Sequence, residues 1–424
     1  MTRINVQPIR GFRDLYPEDK ITQNYIFEKI KQVAYRYGFE PYDGPVLENI
    51  EIYLDKTSKN LIERQTFQFR DKKDKVLILR PEMTPSLARM VAKRSKQLIF
   101  PLRFFNLGLR FRYEAPQKGR EREFYQADFD ILGSRDIISD AEILSVAVQI
   151  FLSFGAKKED FILFLNSRTF MEKKLADFGI DRTKIKAFLN IIDRKDKTTE
   201  NAFVKSLEDE GLDREQIAKL KNFLEIEIKP SSDPYFDKLF KILKDLRIDQ
   251  YCRINPSIVR GLDYYTGLVF EVKEVSGIRR SLLGGGRYDN LISSYVSGLD
   301  IPGVGFAISD VVLIEFLKDK NLLPLLDAKP TQVLVTIFNE ELLPQSAKTV
   351  QTLRSQGISA ELYPSLKKID KQLKYADKAG IPYVIIIGPE EVKKNLVKLK
   401  NMKTGEQIEV SENNLAENLK TQIC

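Results

Sequence analysis

The sequence predicts an α+β core built on antiparallel strands, a helical insert and a C-terminal α/β module. Three observations carry this. Residues 103–113 (RFFNLGLRFRY) and 124–132 (FYQADFDIL) alternate as strands about the polar loop EAPQKGRERE, a long hairpin with a cationic tip. Between about 168 and 245 glycine becomes scarce and lysine abundant, and Ile185, Phe188, Leu189 and Ile192 recur at helical spacing. From residue 332, VLVTIF, ISAELY and YVIIIG alternate with helical stretches ending at Gly357 and Gly380, the βαβαβ order of a mostly parallel sheet.

The other elements follow in order. Ile26, Ile30 and Val33 form one stripe of a helix over 21–37, which Gly38 stops. FQFRDKKDKVLIL reads as two strands about a charged turn, near 67–80. Ser139 and Glu142 resemble a capping box opening a helix through Phe154, ended by Gly155. A strand is expected at 266–274, before the glycine cluster LLGGGRYDNL at 282–291, whose glycines make a tight turn or admit a close backbone approach. The expected divisions are residues 1–325 (insert at about 168–245), a linker at 326–331, and 332–424.

Composition narrows the chemistry. The 424 residues carry Lys+Arg 68 against Asp+Glu 60, a net +8, and no histidine. That zero excludes a Ser-His-Asp triad, an HExxH zinc site and any imidazole proton shuttle. Two cysteines, Cys252 and Cys424, exclude a disulfide framework and a Cys-rich metal site, and no protein-held metal is expected. No secretory signal is visible in MTRINVQPIRGFRDL, and no run approaches about 18 apolar residues, so no membrane association and a cytoplasmic location are expected. Neither a P-loop nor a dinucleotide fingerprint occurs.

The hairpin holds the strongest physical signal. From Arg103 to Arg122, six cations oppose Glu114 and Glu121, a net +4 and half the chain's excess. Arg110 and Arg112 share one strand face, and Arg120 and Arg122 share one on the returning arm. Four converging guanidiniums need an anion such as a phosphate or carboxylate. The competing account pairs them with Glu114, Glu121, Glu123, Asp128 and Asp130 in a solvated ladder.

At this point the motifs resemble a known family. RPEMT (80–84), FRYEAPQKGREREFYQADFDILG (111–133), VRGLDYYTG (259–267) and GGGRYDNL (284–291) stand in the order seen in histidyl-tRNA synthetases. GFRDLYPED (11–19) resembles that family's opening, and LKKIDKQLKYADKAGIPYVIIIG its anticodon-binding domain, so the resemblance spans nearly the whole chain. It implies a class II catalytic domain, with a six-stranded antiparallel sheet flanked by helices, and a C-terminal anticodon-binding domain. A homodimer is also implied, with Pro45 where the family's motif 1 proline shapes the interface. The implied activity is histidine–tRNA ligation: ATP, with Mg²⁺, activates histidine to the adenylate, and the 3′ end of tRNA(His) accepts it.

The resemblance also implies roles. Arg112, in the motif 2 hairpin, would bind the α-phosphate and the histidine carboxylate, offsetting charge that builds as the carboxylate attacks phosphorus. Arg260 would be the second catalytic arginine, facing it. Glu114 would hold the adenine, Phe124 would stack on it, Arg122 would join the ATP contacts, and Gln117 would approach the tRNA acceptor end. Histidine recognition would fall to Glu82, Met83, Thr84, Gln126, Asp130, Tyr264 and Tyr265, with Arg112 and Arg260. An α-ammonium suits carboxylate and amide acceptors, and an imidazole needs one partner at each ring nitrogen. None of this requires a protein histidine.

Two departures stand out. The family's third motif usually runs Gly-Leu-Glu-Arg after GFA, its arginine contacting the γ-phosphate; here Ser309, Asp310, Val311 and Val312 fill those places. Another cation, such as Arg122, would have to cover the γ-phosphate. Ala115 replaces an arginine common in the motif 2 loop. The missing arginine raises an alternative, a non-catalytic paralogue resembling the regulatory subunit of ATP phosphoribosyltransferase. That paralogue lacks the anticodon domain, so VRGLDYYTG and the C-terminal module count against it.

Overall fold

The structure, a computed structural model, describes residues 5–54, 59–195, 198–259, 264–276, 281–326 and 330–423. Contacts divide the chain into two units, Met1–Pro324 and Leu325–Cys424.

Helix α1 (Pro17–Arg36) opens the first unit four residues before the predicted start. Pro17 initiates rather than breaks it, since a first-turn residue needs no amide proton, and Glu18 and Asp19 suit the positive helix end. Its buried stripe includes Ile26, Ile30 and Val33, as predicted, and Gly38 (φ +71°) follows its end. Strands β1 (Glu40–Pro41), β2 (Leu47–Asn49), β3 (Gln68–Arg70) and β4 (Val76–Leu79) and helices α2 (Lys59–Arg64) and α3 (Thr84–Arg94) come next. Order β2-β4-β3 makes a small antiparallel sheet. Ile78 faces inward onto Tyr53 and Ile62, while Leu47 and Phe69 stay 45% and 49% exposed on the other side.

The main sheet begins with the predicted hairpin, β5 (Leu102–Phe111) and β6 (Glu123–Leu132). Helix α4 (Ile137–Ser153) covers it, but its cap is not the predicted Ser139. Asp136 accepts from the Ile138 amide (2.9 Å) and starts the helix earlier, leaving Ser139 buried in the first turn. Strand β7 (Phe161–Ser167) precedes the insert, helices α5 (Arg168–Asp177), α6 (Ile185–Asp193), α7 (Glu200–Asp209) and α8 (Arg214–Glu225). The insert buries its own core, including Phe170, Phe188, Phe203 and Leu220. Helix α9 (Pro234–Asp245) returns the chain to α4. Then come β8 (Cys252–Ile254), β9 (Leu268–Glu274), β10 (Ser281–Arg287), β11 (Gly303–Ser309) and α10 (Asp310–Asp319).

The main sheet runs β1-β5-β6-β11-β10-β9-β7-β8. Its six inner strands are antiparallel, and only the short edges β1 and β8 pair in parallel. Phe105, Phe129 and Phe306 stack across β5, β6 and β11 with centroids 5.8 and 5.0 Å apart, beneath α1 and α4. The glycine cluster is neither turn nor loop, for Gly284–Gly286 lie inside β10. A Cβ on Gly285 would meet the Gly305 carbonyl oxygen at 2.2 Å, so the glycines serve close backbone approach.

In the second unit β12 (Val333–Val335), α11 (Leu343–Ser355), β13 (Ala360–Leu362), α12 (Ile369–Ala379) and β14 (Tyr383–Ile386) form the predicted alternation. Helix α13 (Pro389–Lys393), an antiparallel hairpin of β15 (Leu396–Asn401) and β16 (Gln407–Ser411), and α14 (Leu415–Ile423) complete it. The hairpin extends the parallel trio β13-β12-β14 on one side.

Candidate active site

Strand β6 supplies the floor of a cavity of about 100 Å³ that opens to solvent. Period two sends Ala127, Phe129 and Ile131 into the core, and Gln126 and Asp128 face the cavity. Glu82 and Thr84 enter at the start of α3, Arg112 just past the end of β5, and Tyr264 and Tyr265 just before β9. Six of the residues expected for histidine therefore share one cavity.

Their bonds are specific. Tyr264 donates its hydroxyl to Glu82 Oε2 (3.0 Å), and burial beside that carboxylate pushes the phenol well above its ordinary value. Gln126 Oε1 is buried with no partner among the described residues, an acceptor left for a ligand. Arg112 Nε donates to the Pro81 carbonyl (2.9 Å), and its guanidinium sits 5.4 Å from the Phe124 ring centroid. A purine stacking on Phe124 would therefore lie beside a cation.

Asp130 lies behind the cavity rather than on its lining. It is 3% exposed and accepts from the Tyr288 hydroxyl. Burial drives its carboxyl up to about 8, the Tyr288 hydrogen bond opposing and Asp128 adding to the rise. At neutral pH it is mostly protonated. A Cβ on Gly305 would come within 2.2 Å of Asp130 Oδ1, so glycine alone leaves space there. Met83 departs from expectation more plainly: its side chain is fully buried against Gly44 and Arg80, outside the lining.

The four hairpin arginines do not converge. Arg110 is fully buried, its Nη2 donating to Asp128 Oδ2 (2.6 Å) and Asn106 Oδ1 (2.7 Å). Asn106 Nδ2 continues to Asp43 Oδ1 (3.1 Å), which also accepts from Arg80 Nη1 (2.7 Å). A polar chain thus runs from Asp43, with its side chain 64% exposed, to the cavity floor at Asp128. At the tip Arg120 pairs with Glu114 (2.8 Å), and Arg122 donates to the Glu114 carbonyl (3.0 Å) and stacks 4.1 Å from the Tyr113 ring centroid. The solvated ladder thus describes Arg120, Arg110 has a ladder partner in Asp128 but is buried with it, and the anion account remains for Arg112. Gln117 is exposed at the turn, closed by reciprocal backbone bonds with Arg120 of 3.1 and 2.7 Å. Arg260 lies outside the described residues, as do 327–329 of the expected linker.

Asp128, expected only as an arginine partner, and Tyr288 and Gly305 were not expected on the cavity lining. Asp128 had a legible signal, lying between Gln126 and Asp130 on one strand face. Tyr288 had only its place in GGGRYDNL, and Gly305 had none.

Six antiparallel strands flanked by helices, a charged hairpin delivering an arginine to a polar cavity, and a separate α/β unit define a class II aminoacyl-tRNA synthetase. Residues 11–311 match the family model described as histidyl-tRNA synthetase, and 332–422 match that of an anticodon binding domain. The histidine–tRNA ligase of Leptospira biflexa is 35% identical over 433 residues, covering 99% of each chain, and that of Pyrococcus abyssi is 33% identical over 97% of each. The crystal structure of histidyl-tRNA synthetase from Nostoc sp. PCC 7120 superposes with a TM-score of 0.81 at 28% identity, covering 99% of this chain and 100% of that one. The chain belongs to the histidyl-tRNA synthetase family.

Proposed function

We propose that this protein activates histidine with ATP and transfers it to tRNA(His). The carrying observation is the single cavity that gathers Glu82, Thr84, Arg112, Gln126, Tyr264 and Tyr265. The Glu82 carboxylate and the unpartnered Gln126 oxygen suit an α-ammonium group, and the Asp130–Tyr288 pair beneath them offers a donor toward an imidazole nitrogen. Arg112 binds the α-phosphate and the substrate carboxylate. A carboxylate oxygen attacks the α-phosphorus, pyrophosphate leaves, and the guanidinium stabilises the charge gathering on the equatorial oxygens. The terminal tRNA ribose hydroxyl then attacks the adenylate carbonyl and AMP departs. Arg260 is assigned the opposite side of the α-phosphate, and Gln117, exposed at the hairpin tip, the acceptor end.

Mg²⁺ enters with ATP, supplying charge neutralisation on the triphosphate. Among the described residues no cluster of three or more acidic or cysteine side chains is placed to hold an ion. A homodimer is favoured by exposed Val46, Leu47 and Phe69 beside Pro45. Among the described residues no helix is long and apolar enough to cross a membrane, and we assign the enzyme to the cytoplasm. Histidine-dependent ATP–pyrophosphate exchange tests the reading; no exchange at saturating substrates would leave the regulatory paralogue.

A further inference from the structure

We infer that Asp310 is a positioning residue for the ATP side of the site, resting on the reading that Phe124 takes the adenine. Strand β6 has neighbours on both sides only as far as Gln126. Its ladder with β11 ends at the Gln126–Ser309 pair, while pairing with β5 runs on to Glu123. Phe124 therefore projects from a strand end with one neighbour, where a planar ring needs a fixed backbone.

Asp310 fills the gap. Its Oδ1 accepts from the Tyr125 amide (3.0 Å), taking over where the β11 backbone stops. Its Oδ2 accepts from Arg13 Nη2 (3.0 Å) and Gln23 Nε2 (3.1 Å). The side chain is 1% exposed, so three donors, one of them cationic, replace its hydration. Lys20 Nζ donates to Gln23 Oε1 (2.5 Å) and lies 5.9 Å from the Tyr125 ring centroid, fixing the amide and gripping the strand from α1.

The N-terminal segment grips from the other flank. The Gly11 carbonyl accepts from the amides of Arg122 (2.8 Å) and Glu123 (3.2 Å). Gly11 (φ +86°) lies so close that a Cβ would meet Arg122 Cγ at 2.7 Å. Phe124 is thus held between Glu123, tied to Gly11, and Tyr125, tied through Asp310 to Arg13. The segment that in this family usually supplies a phosphate-binding arginine here supplies an anchor for the adenine platform.

Substitution in the full-length chain, read by histidine-dependent exchange, tests this. Asp310→Asn keeps the volume but turns one acceptor into a donor facing donors. It raises the ATP KM about tenfold and moves the histidine KM less than about twofold, because Gln126 keeps its pairing with Ser309. Arg13→Met removes one donor from a part-exposed pair, leaves the fold intact and raises the ATP KM about threefold. Equal rises for both substrates would overturn the inference. So would unchanged KM values with a fall only in melting temperature or titratable active sites, since that marks a purely structural anchor. If Arg112→Ala exchanged at the wild-type rate, the ATP reading itself would fail, a result distinguishable from unmoved KM values in the Asp310 variant.

Discussion

Arg112 owes its reach to where β5 stops. The strand ends at Phe111, so Arg110 stays locked against the sheet by Asp128 while the next arginine on that face turns into the cavity. Arg112→Ala is expected to lower the exchange rate about 10²–10³-fold. The melting temperature should hold, because among the described residues the side chain's ties to the fold are a single hydrogen bond to Pro81 and a contact with the Phe124 ring. Asp130 gives a pH test. Unfolded, its carboxyl ionises at about 4; folded, at about 8. Between these values the folded chain holds a proton that the unfolded chain has lost, so Asp130 costs stability increasingly as pH rises through that window. Asp130→Asn, isosteric with the neutral acid, should therefore gain on wild type in melting temperature from about pH 5 to pH 8. With no histidine in the chain, imidazole titration does not blur the window. A flat difference would refute the raised value.

At the scale of elements, β10 shows what pattern reading reaches and where it stops. The hairpin β5–β6 was legible because one face of each strand enters the core, imposing period two on residues 102–132. The glycines of β10 carry no side chains and so no period. Their role depends on β11 lying against Gly285, a neighbour distant in sequence. Gly285→Ala should cost about 3 kcal/mol or more, because the clash is with the Gly305 backbone and cannot rotate away. A thermal melt should fall by about 6 °C or more. The converging-arginine reading erred for a related reason. Face-sharing was right for Arg110 and Arg112, but Arg110 is claimed by Asn106 and Asp128. The hairpin β15–β16 went unread because its charged positions mask a half-exposed alternation.

Across the whole catalytic unit, the sheet β2-β4-β3 presents Leu47 and Phe69 on one face, since they pair with Leu79 and Leu77, two places apart on β4. Leu47→Lys with Phe69→Lys should shift sedimentation from dimer to monomer at micromolar protein; an unchanged sedimentation coefficient would move the interface elsewhere. Family motifs made the cavity's membership readable, whereas the order of its hydrogen bonds was not, because that depends on which donors the fold buries together. The chain of bonds from Asp43 through Asn106 and Arg110 to Asp128 then acquires a thermodynamic meaning. One end lies between β1 and β2, beside the face proposed for the partner, and the other forms the substrate floor. If pairing of subunits orders that chain, histidine binds more tightly to the dimer, and by reciprocity histidine must tighten the dimer by the same factor. The dissociation constant of the dimer, measured with and without histidine, then becomes a second gauge of substrate affinity, one that needs neither ATP nor catalysis.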